Sequence, residues 1–291
     1  MVRRRPVAAL AAALSLAMLA AGSGIDRTTS RPAVSMPSAA PTAARDVVLT
    51  AAATQYHDYV VAEVAVLETS TRAFTDAVRA GHIARAKALY APARMHYEDI
   101  ESVVESLGDL DDDIDARIDG VSDPAKWTGF HRIEKALWAD GSLAGMAPYA
   151  NELDLDIFAL KARVAGVTFE PADLADRACD LVAAISTTKI SGAEDRYSHT
   201  DLSDLAAAIG GARAVFELLK PALDARDPGL VQQIETRFVA VTTWLDRYRQ
   251  GAGYLDWSSV AQPQLRSLSV AVDALAEPLA QVAGIVVRAT P

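Results

Sequence analysis

From about residue 46 to the C-terminus, apolar residues recur at three- and four-residue steps instead of alternating, the mark of helices with one buried stripe. The run 82–107 displays the pattern, with Ala86, Tyr90, Ala93, Tyr97, Ile100, Val104 and Leu107 falling on one face. The same spacing predicts helices over about 46–80, 82–107, 111–119, 128–139, 146–165, 171–190, 201–224, 228–250 and 263–288. Gly81, Gly108, Gly120, Gly166 with Pro171, Gly192, Pro228 with Gly229, and the GAGY stretch at 251–254 punctuate them. Glycine leaves a helix easily and proline cannot continue one. No alternating run rich in Val, Ile or Thr lies between these stops. Long helices with short links pack antiparallel, and this many predict an all-α chain of two antiparallel four-helix bundles sharing a core.

The first 45 residues read differently. Residues 1–22, MVRRRPVAALAAALSLAMLAAG, carry three arginines, then an uncharged Ala/Leu run, then small residues, which is the layout of an export signal. The stretch LAAGSG at 19–24 has the form of a lipoprotein box, except that Ser23 stands where the acylated cysteine would be. Either an ordinary signal peptidase releases the chain or a cysteine has been replaced there; lipid anchoring or peripheral membrane association is open on the same ground. Residues 23–45 are rich in Ser, Thr, Ala and Pro without apolar periodicity, which predicts a flexible linker ahead of a helical domain over 46–291. Beyond the signal no uninterrupted apolar stretch has the length to span a bilayer. The expected location is the periplasm or the outer face of the cytoplasmic membrane.

Charge narrows the partners. A formal net charge of -10 disfavours nucleic acid and could favour cations. Cys179 is the sole cysteine, so no internal disulfide forms; its helical surroundings suit a small packing residue.

Candidate chemistry centres on KWTGFHRIEKALW at 126–138, where His131 and Glu134 stand one helical turn apart among Trp127, Phe130 and Trp138. Spacing alone is weak. With five histidines and 38 acids in 291 residues, about 0.65 His-x-x-acid pairs arise at random, and the chain has two, His96/Asp99 and His131/Glu134. The aromatic flanks favour burial of the second pair, and a bare buried carboxylate is costly without a cation. Imidazole with carboxylate suits zinc, iron or copper, the further ligands coming from other helices. On the 82–107 helix Glu98 and Asp99 lie away from the apolar stripe while His96 and Glu101 flank it. Glu101 is then the acid best able to turn inward, and Glu98, Glu101 and Glu105 otherwise form a solvated face.

The stretch DPAKWTGFHRIEKALW at 123–138 resembles the G-x-H-x-x-E signature of the imelysin-like family, specifically its EfeO/EfeM iron-uptake branch. YAPARMHYEDIESVVESLGDLD at 90–111 and ISGAEDRYSHTDLSDLAAAIGGARAVFELLKP at 190–221 resemble the same branch, in order along the chain. The resemblance implies a pair of four-helix bundles and an exported protein that works with a membrane iron permease and a peroxidase-like partner. It implies ferrous or ferric iron, with zinc or copper also possible, at His131 and Glu134. It further draws Glu98 and Glu101, and Glu194, Asp195, Tyr197 and His199, into the candidate set, with Tyr197 and His199 alternatively capping the next helix. Longer members carry a copper-binding β-sandwich ahead of the helices; the residues before 46 have no strand pattern or ligand set for one, which predicts the short form.

Two other functions compete. The family takes its name from a peptidase, but a helical zinc peptidase presents H-E-x-x-H, and the position of its general base holds Arg132. No G-x-S-x-G motif occurs either. An envelope protein gripping acidic polysaccharide through a bridging metal is the third reading.

Overall fold

The computed structural model describes residues 40–187 and 189–287. The predicted export signal and most of the predicted linker lie outside the described residues. Among the described residues ten α-helices follow in order: α1 (Ala40–Arg79), α2 (Ile83–Glu98), α3 (Glu101–Glu105), α4 (Asp109–Asp115), α5 (Gly129–Trp138), α6 (Ala147–Val164), α7 (Pro171–Thr187), α8 (Asp201–Asp224), α9 (Pro228–Asp246) and α10 (Gln262–Val287). The described residues are all-α apart from a two-stranded antiparallel hairpin, β1 (Arg249–Gln250) with β2 (Gly253–Tyr254).

The helices form two bundles. In one, α1 packs along α2 and α6, with α5 closing against α6 and α2; in the other, α7, α8, α9 and α10 pack together. Helix α1 also touches α7 and α8, and α2 touches α8, so Tyr56, Leu67, Phe74, Tyr90, Leu205 and Ile209 belong to one continuous apolar core.

Local chemistry explains the boundaries. Asp227 accepts from the Leu230 amide and Pro228 follows it, so α9 begins with a side-chain cap and a preset first turn. Gly81, at φ 70°, turns the chain from α1 into α2. Three expectations need correction. Helix α1 starts at Ala40, so the end of the predicted linker is helical. The predicted helix 82–107 is two helices, broken at Asp99–Ile100, because the Asp99 peptide presses on α8 where Gly211 has no side chain. A Cβ on Gly211 would stand 2.1 Å from the Asp99 carbonyl oxygen. The helix predicted to 250 ends at Asp246 and gives way to the hairpin.

Among the described residues one helix, over Gln262–Val286, is long and apolar enough to cross a membrane by length and composition, with mean hydropathy 1.4. That differs from the expectation that no stretch would qualify. Arg266, Asp273 and Glu277 interrupt it, and Leu268, Val272, Leu275 and Leu279 are buried where α10 meets α7 and α9.

Asp156 on α6 is buried with Oδ2 lacking a hydrogen-bond partner. Burial, with Asp113 and Glu152 adding, pushes its carboxyl up from 3.8 to about 7. The folded chain therefore keeps a proton that the unfolded chain releases, and stability falls as pH rises from the unfolded towards the folded value. Asp156→Asn should raise the melting temperature by about 2–4 °C at about pH 8 and by nothing measurable at about pH 4. Calorimetric melts at the two pH values check this, and an equal gain at both would contradict it.

Candidate metal centre

The G-x-H-x-x-E stretch owes its glycine to packing. Gly129 has φ 80°, and a Cβ there would meet the Ile114 carbonyl oxygen at 2.2 Å. The start of α5 thus lies against the end of α4, fixed further by Thr128 Oγ1 to the Asp113 carbonyl (3.0 Å) and Trp127 Nε1 to the Ala116 carbonyl (2.6 Å). That docking carries Asp115, the last residue of α4, to His131 on the first turn of α5: Asp115 Oδ1 stands 3.6 Å from His131 Nε2.

His131 and Glu134 point inward together. The imidazole is 1% and the glutamate 0% exposed, and Nδ1 lies 2.9 Å from Glu134 Oε2. Glu134 Oε1 accepts from the amides of Tyr197 (2.9 Å) and Ser198 (2.7 Å), tying α5 to the loop between α7 and α8. That loop turns at His199, φ 57°, whose amide donates to the Asp195 carbonyl. Asp195 Oδ1 accepts from the Tyr90 hydroxyl at 2.9 Å, and Asp195 Oδ2 from Thr200 Oγ1 at 2.5 Å. Glu194 Oε1 is 3.9 Å from His131 Nε2, while its Oε2 accepts from Arg117 at 3.0 Å. His131 Nε2 has no hydrogen-bond partner.

All six sequence-derived ligand candidates are buried: Glu98, Glu101, His131, Glu134, Glu194 and Asp195. Glu98 departs from its expected solvated face. The loop that brings Lys189 covers that side of α2, and Glu98 is fully buried between Lys189 Nζ (2.5 Å to Oε2) and Arg94 (2.5 Å to Oε1). Glu101 lies 3.0 Å from the same ammonium, and Glu105 alone of the three is exposed. Side chains of Tyr197 and His199 do not join this group; Tyr197 contributes its amide, and Thr200 stands at the N-cap of α8 with its hydroxyl donated to Asp195 instead of bonding the helix.

Sequence reasoning missed Arg94, Asp115, Lys189 and Asp204. Arg94 is buried and touches Asp115, Glu98, Asp204 (3.0 Å) and Asp195 (3.4 Å). Its position was legible in part, because residue 94 is four after Tyr90 and four before Glu98 on one face. Nothing local marks Asp115 among the acids of DLDDDID.

The charges do not balance. Eight carboxylates are buried in this region, Glu98, Glu101, Asp115, Glu134, Glu194, Asp195, Asp201 and Asp204, against three buried cationic groups, Arg94, Lys189 and the His131 imidazole. Burial opposes ionisation of Asp115 and Asp195, yet the Arg94 guanidinium, with His131, outweighs it and holds both carboxyls below their usual range. Burial pushes Glu101 and Asp204 well up, with Glu98 and Asp195 respectively adding to it. For His131, burial and Arg94 push down, but Asp115 and Glu134 prevail and raise it to about 10. An added cation relieves such a surplus.

Glu98, Glu101, Asp115 and Glu194 bring one oxygen each within 4.8 Å of one another. Three of them, Glu101, Asp115 and Glu194, also line a cavity of about 770 Å³, along with Glu105, Asp111, Asp112, Asp119 and Asp180 against Arg117 and Arg196. His131 and Glu134 border a far smaller space of about 10 Å³ beside Trp127 and Tyr197. The oxygen set thus faces an acidic entrance, with the unpartnered His131 Nε2 aimed at its inner edge. The other His-x-x-acid pair, His96 and Asp99, lies with Glu63 at the half-buried seam of α1 and α2, with His96 Nδ1 2.8 Å from Glu63 Oε2. Arg132 is stacked 4.7 Å from the Tyr149 ring centroid.

Helical bundles closing on a buried histidine and carboxylate cluster define the class: residues 52–282 match the imelysin family model, named for peptidase M75, and the chain belongs to that family. Among curated proteins it is 43% identical over 237 residues to the iron uptake system component EfeO of Escherichia coli K12, and equally to EfeO of Shigella flexneri. The matched region covers 80% of this chain and 63% of each relative.

Glu134→Ala should strand the Tyr197 and Ser198 amides and cost about 2–4 kcal/mol, while Glu134→Gln, which keeps an acceptor, should cost less than half of that. Urea denaturation of both variants decides it. Equal losses would show that the amide tie contributes nothing.

Proposed function

We propose that this chain is the extracytoplasmic iron-binding component of an EfeUOB-type uptake system, capturing iron outside the cytoplasmic membrane and passing it to a membrane iron permease alongside a peroxidase-like partner. The observation that carries this reading is the meeting of Glu98, Glu101, Asp115 and Glu194, the last three of them lining an acidic cavity, with His131 Nε2 beside Asp115 and Glu194. Hard carboxylate oxygens with one imidazole suit iron, and accept zinc or copper less selectively. An ion held there draws on the surplus of negative charge that the protein's own cations leave uncompensated.

Roles divide by what each side chain already satisfies. Glu101, Asp115 and Glu194 face the cavity and serve as ligands with Glu98 and the His131 imidazole. Glu134, occupied by two amides and by His131 Nδ1, fixes the ring so that Nε2 points at the cargo, the familiar duty of a carboxylate behind a metal-binding histidine. Asp195, paired with Tyr90, Arg94 and Thr200, holds the loop that presents Glu194. His131 loses its proton when the ion binds, so capture weakens as pH falls.

Binding without hydrolysis fits the residues. The position of a zinc peptidase's base holds Arg132, a cation engaged with aromatic rings, and neither Glu134 oxygen is free to activate water. The identity to EfeO, with the acidic cavity, supports uptake over proteolysis.

Calorimetric titration with ferric nitrilotriacetate, ferrous iron and zinc tests the assignment. Glu101→Gln, Glu194→Gln and His131→Ala should each weaken binding at least about tenfold, and Glu134→Gln about tenfold through its histidine. Wild-type stoichiometry and affinity in all four variants would sink the reading. Peptide cleavage that needs metal and disappears in Glu134→Gln would replace it with an enzyme.

A further inference from the structure

Lys189 stands where the proposed cargo should go. Its ammonium lies 2.5 Å from Glu98 Oε2, 3.0 Å from Glu101 Oε2 and 3.1 Å from Glu101 Oε1, and the residue is fully buried. Two of the four converging carboxylates are therefore bridged by a cation of the protein's own. A metal ion bound by the same oxygens and an ammonium left in place would repel each other at close range in a poorly screened interior. One of them must yield.

The two buried cations differ in freedom. Arg94 is fastened by Glu98, Asp115, Asp195 and Asp204, and its planar fork allows little movement. Lys189 hangs on a four-carbon stem from a short 3₁₀ turn, Lys189–Ser191. Residues around that turn, Thr187, Ser191 and Ala193, line the acidic cavity together with Glu105 and Asp180. An ammonium leaving Glu98 and Glu101 has the other carboxylates of that cavity to turn towards, Glu105 already within its electrostatic reach.

We propose that Lys189 is a tethered stand-in for the metal: its ammonium fills the gap between Glu98 and Glu101 in the empty protein and swings into the acidic cavity when the cargo enters. The proposal rests on the metal-capture reading above and adds a selection rule to it. A covalently tethered competitor acts at high effective concentration, so singly charged ions gain nothing by entering, whereas small, highly charged ions displace it. The same competition shortens the residence of the cargo, because the ammonium returns as the ion departs. Release to a partner then needs no large rearrangement of the bundles.

The test uses the full-length protein. Reductive methylation with formaldehyde and cyanoborohydride, mapped by mass spectrometry, is run on the empty protein and after loading with zinc or with ferric nitrilotriacetate. Lys189 should stay protected when empty and become methylated when loaded, with Lys87 and Lys126 unchanged as internal controls. Lys189→Gln should bind zinc at least about tenfold more tightly than wild type. The methylation result decides even where the variant does not fold. Protection of Lys189 in a loaded protein whose binding still depends on Glu98 and Glu101 overturns the stand-in and leaves metal capture intact. Binding indifferent to Glu98→Gln and Glu101→Gln but weakened by Glu194→Gln or His131→Ala likewise overturns the stand-in alone, and failure of the wild type to bind removes both.

Discussion

One guanidinium organises this molecule. Arg94 meets Glu98 within α2, Asp115 at the end of α4, Asp195 in the loop before α8 and Asp204 inside α8, so four chain segments share one buried positive charge. A buried charge persists only where partners compensate it, and a planar fork accepts partners only in set directions. The positions of the surrounding acids are consequences of that geometry. Arg94, with His131, outweighs burial at Asp115 and Asp195 and holds them ionised, whereas at Asp204 and Glu98 burial prevails even beside the guanidinium, and Glu101 is pushed towards its neutral form by burial and by Glu98.

The cluster therefore has two sides. Towards α5 and α8, Glu134 and Asp195 spend their oxygens on amides, a phenol and a threonine hydroxyl, giving rigidity. Towards the cavity, Glu101, Asp115 and Glu194 line open space. Gly129 and Gly211 make this division possible at a distance. Each lets one backbone lie against another, the first seating Asp115 beside His131, the second breaking the helix between Glu98 and Glu101.

The helical class and most boundaries were legible in spacing, since most long helices have an apolar stripe and a glycine or proline stop; α8 falls on 201–224 as expected. The break at Asp99 was not, because its cause lies in Gly211, more than a hundred residues away. The site was legible in residue types but not in membership. His131, Glu134, Glu194 and Asp195 announce themselves through neighbouring aromatics and family resemblance. A single stripe places Glu98 on a solvated side because it describes a helix with one buried face, whereas α2 is covered by α1, α5, α8 and the Lys189 loop. Asp115 is one aspartate in a run of them, and only the docking of α4 against Gly129 distinguishes it.

Helix α1 has a consequence of a different kind. It runs 40 residues and, besides α2 and α6 of its own bundle, contacts α7 and α8 of the other. Losing α1 from one half exposes apolar surface in the other, which couples their disruption. The two bundles should consequently melt as a single cooperative unit, and partial unfolding that spares one of them is suppressed by construction.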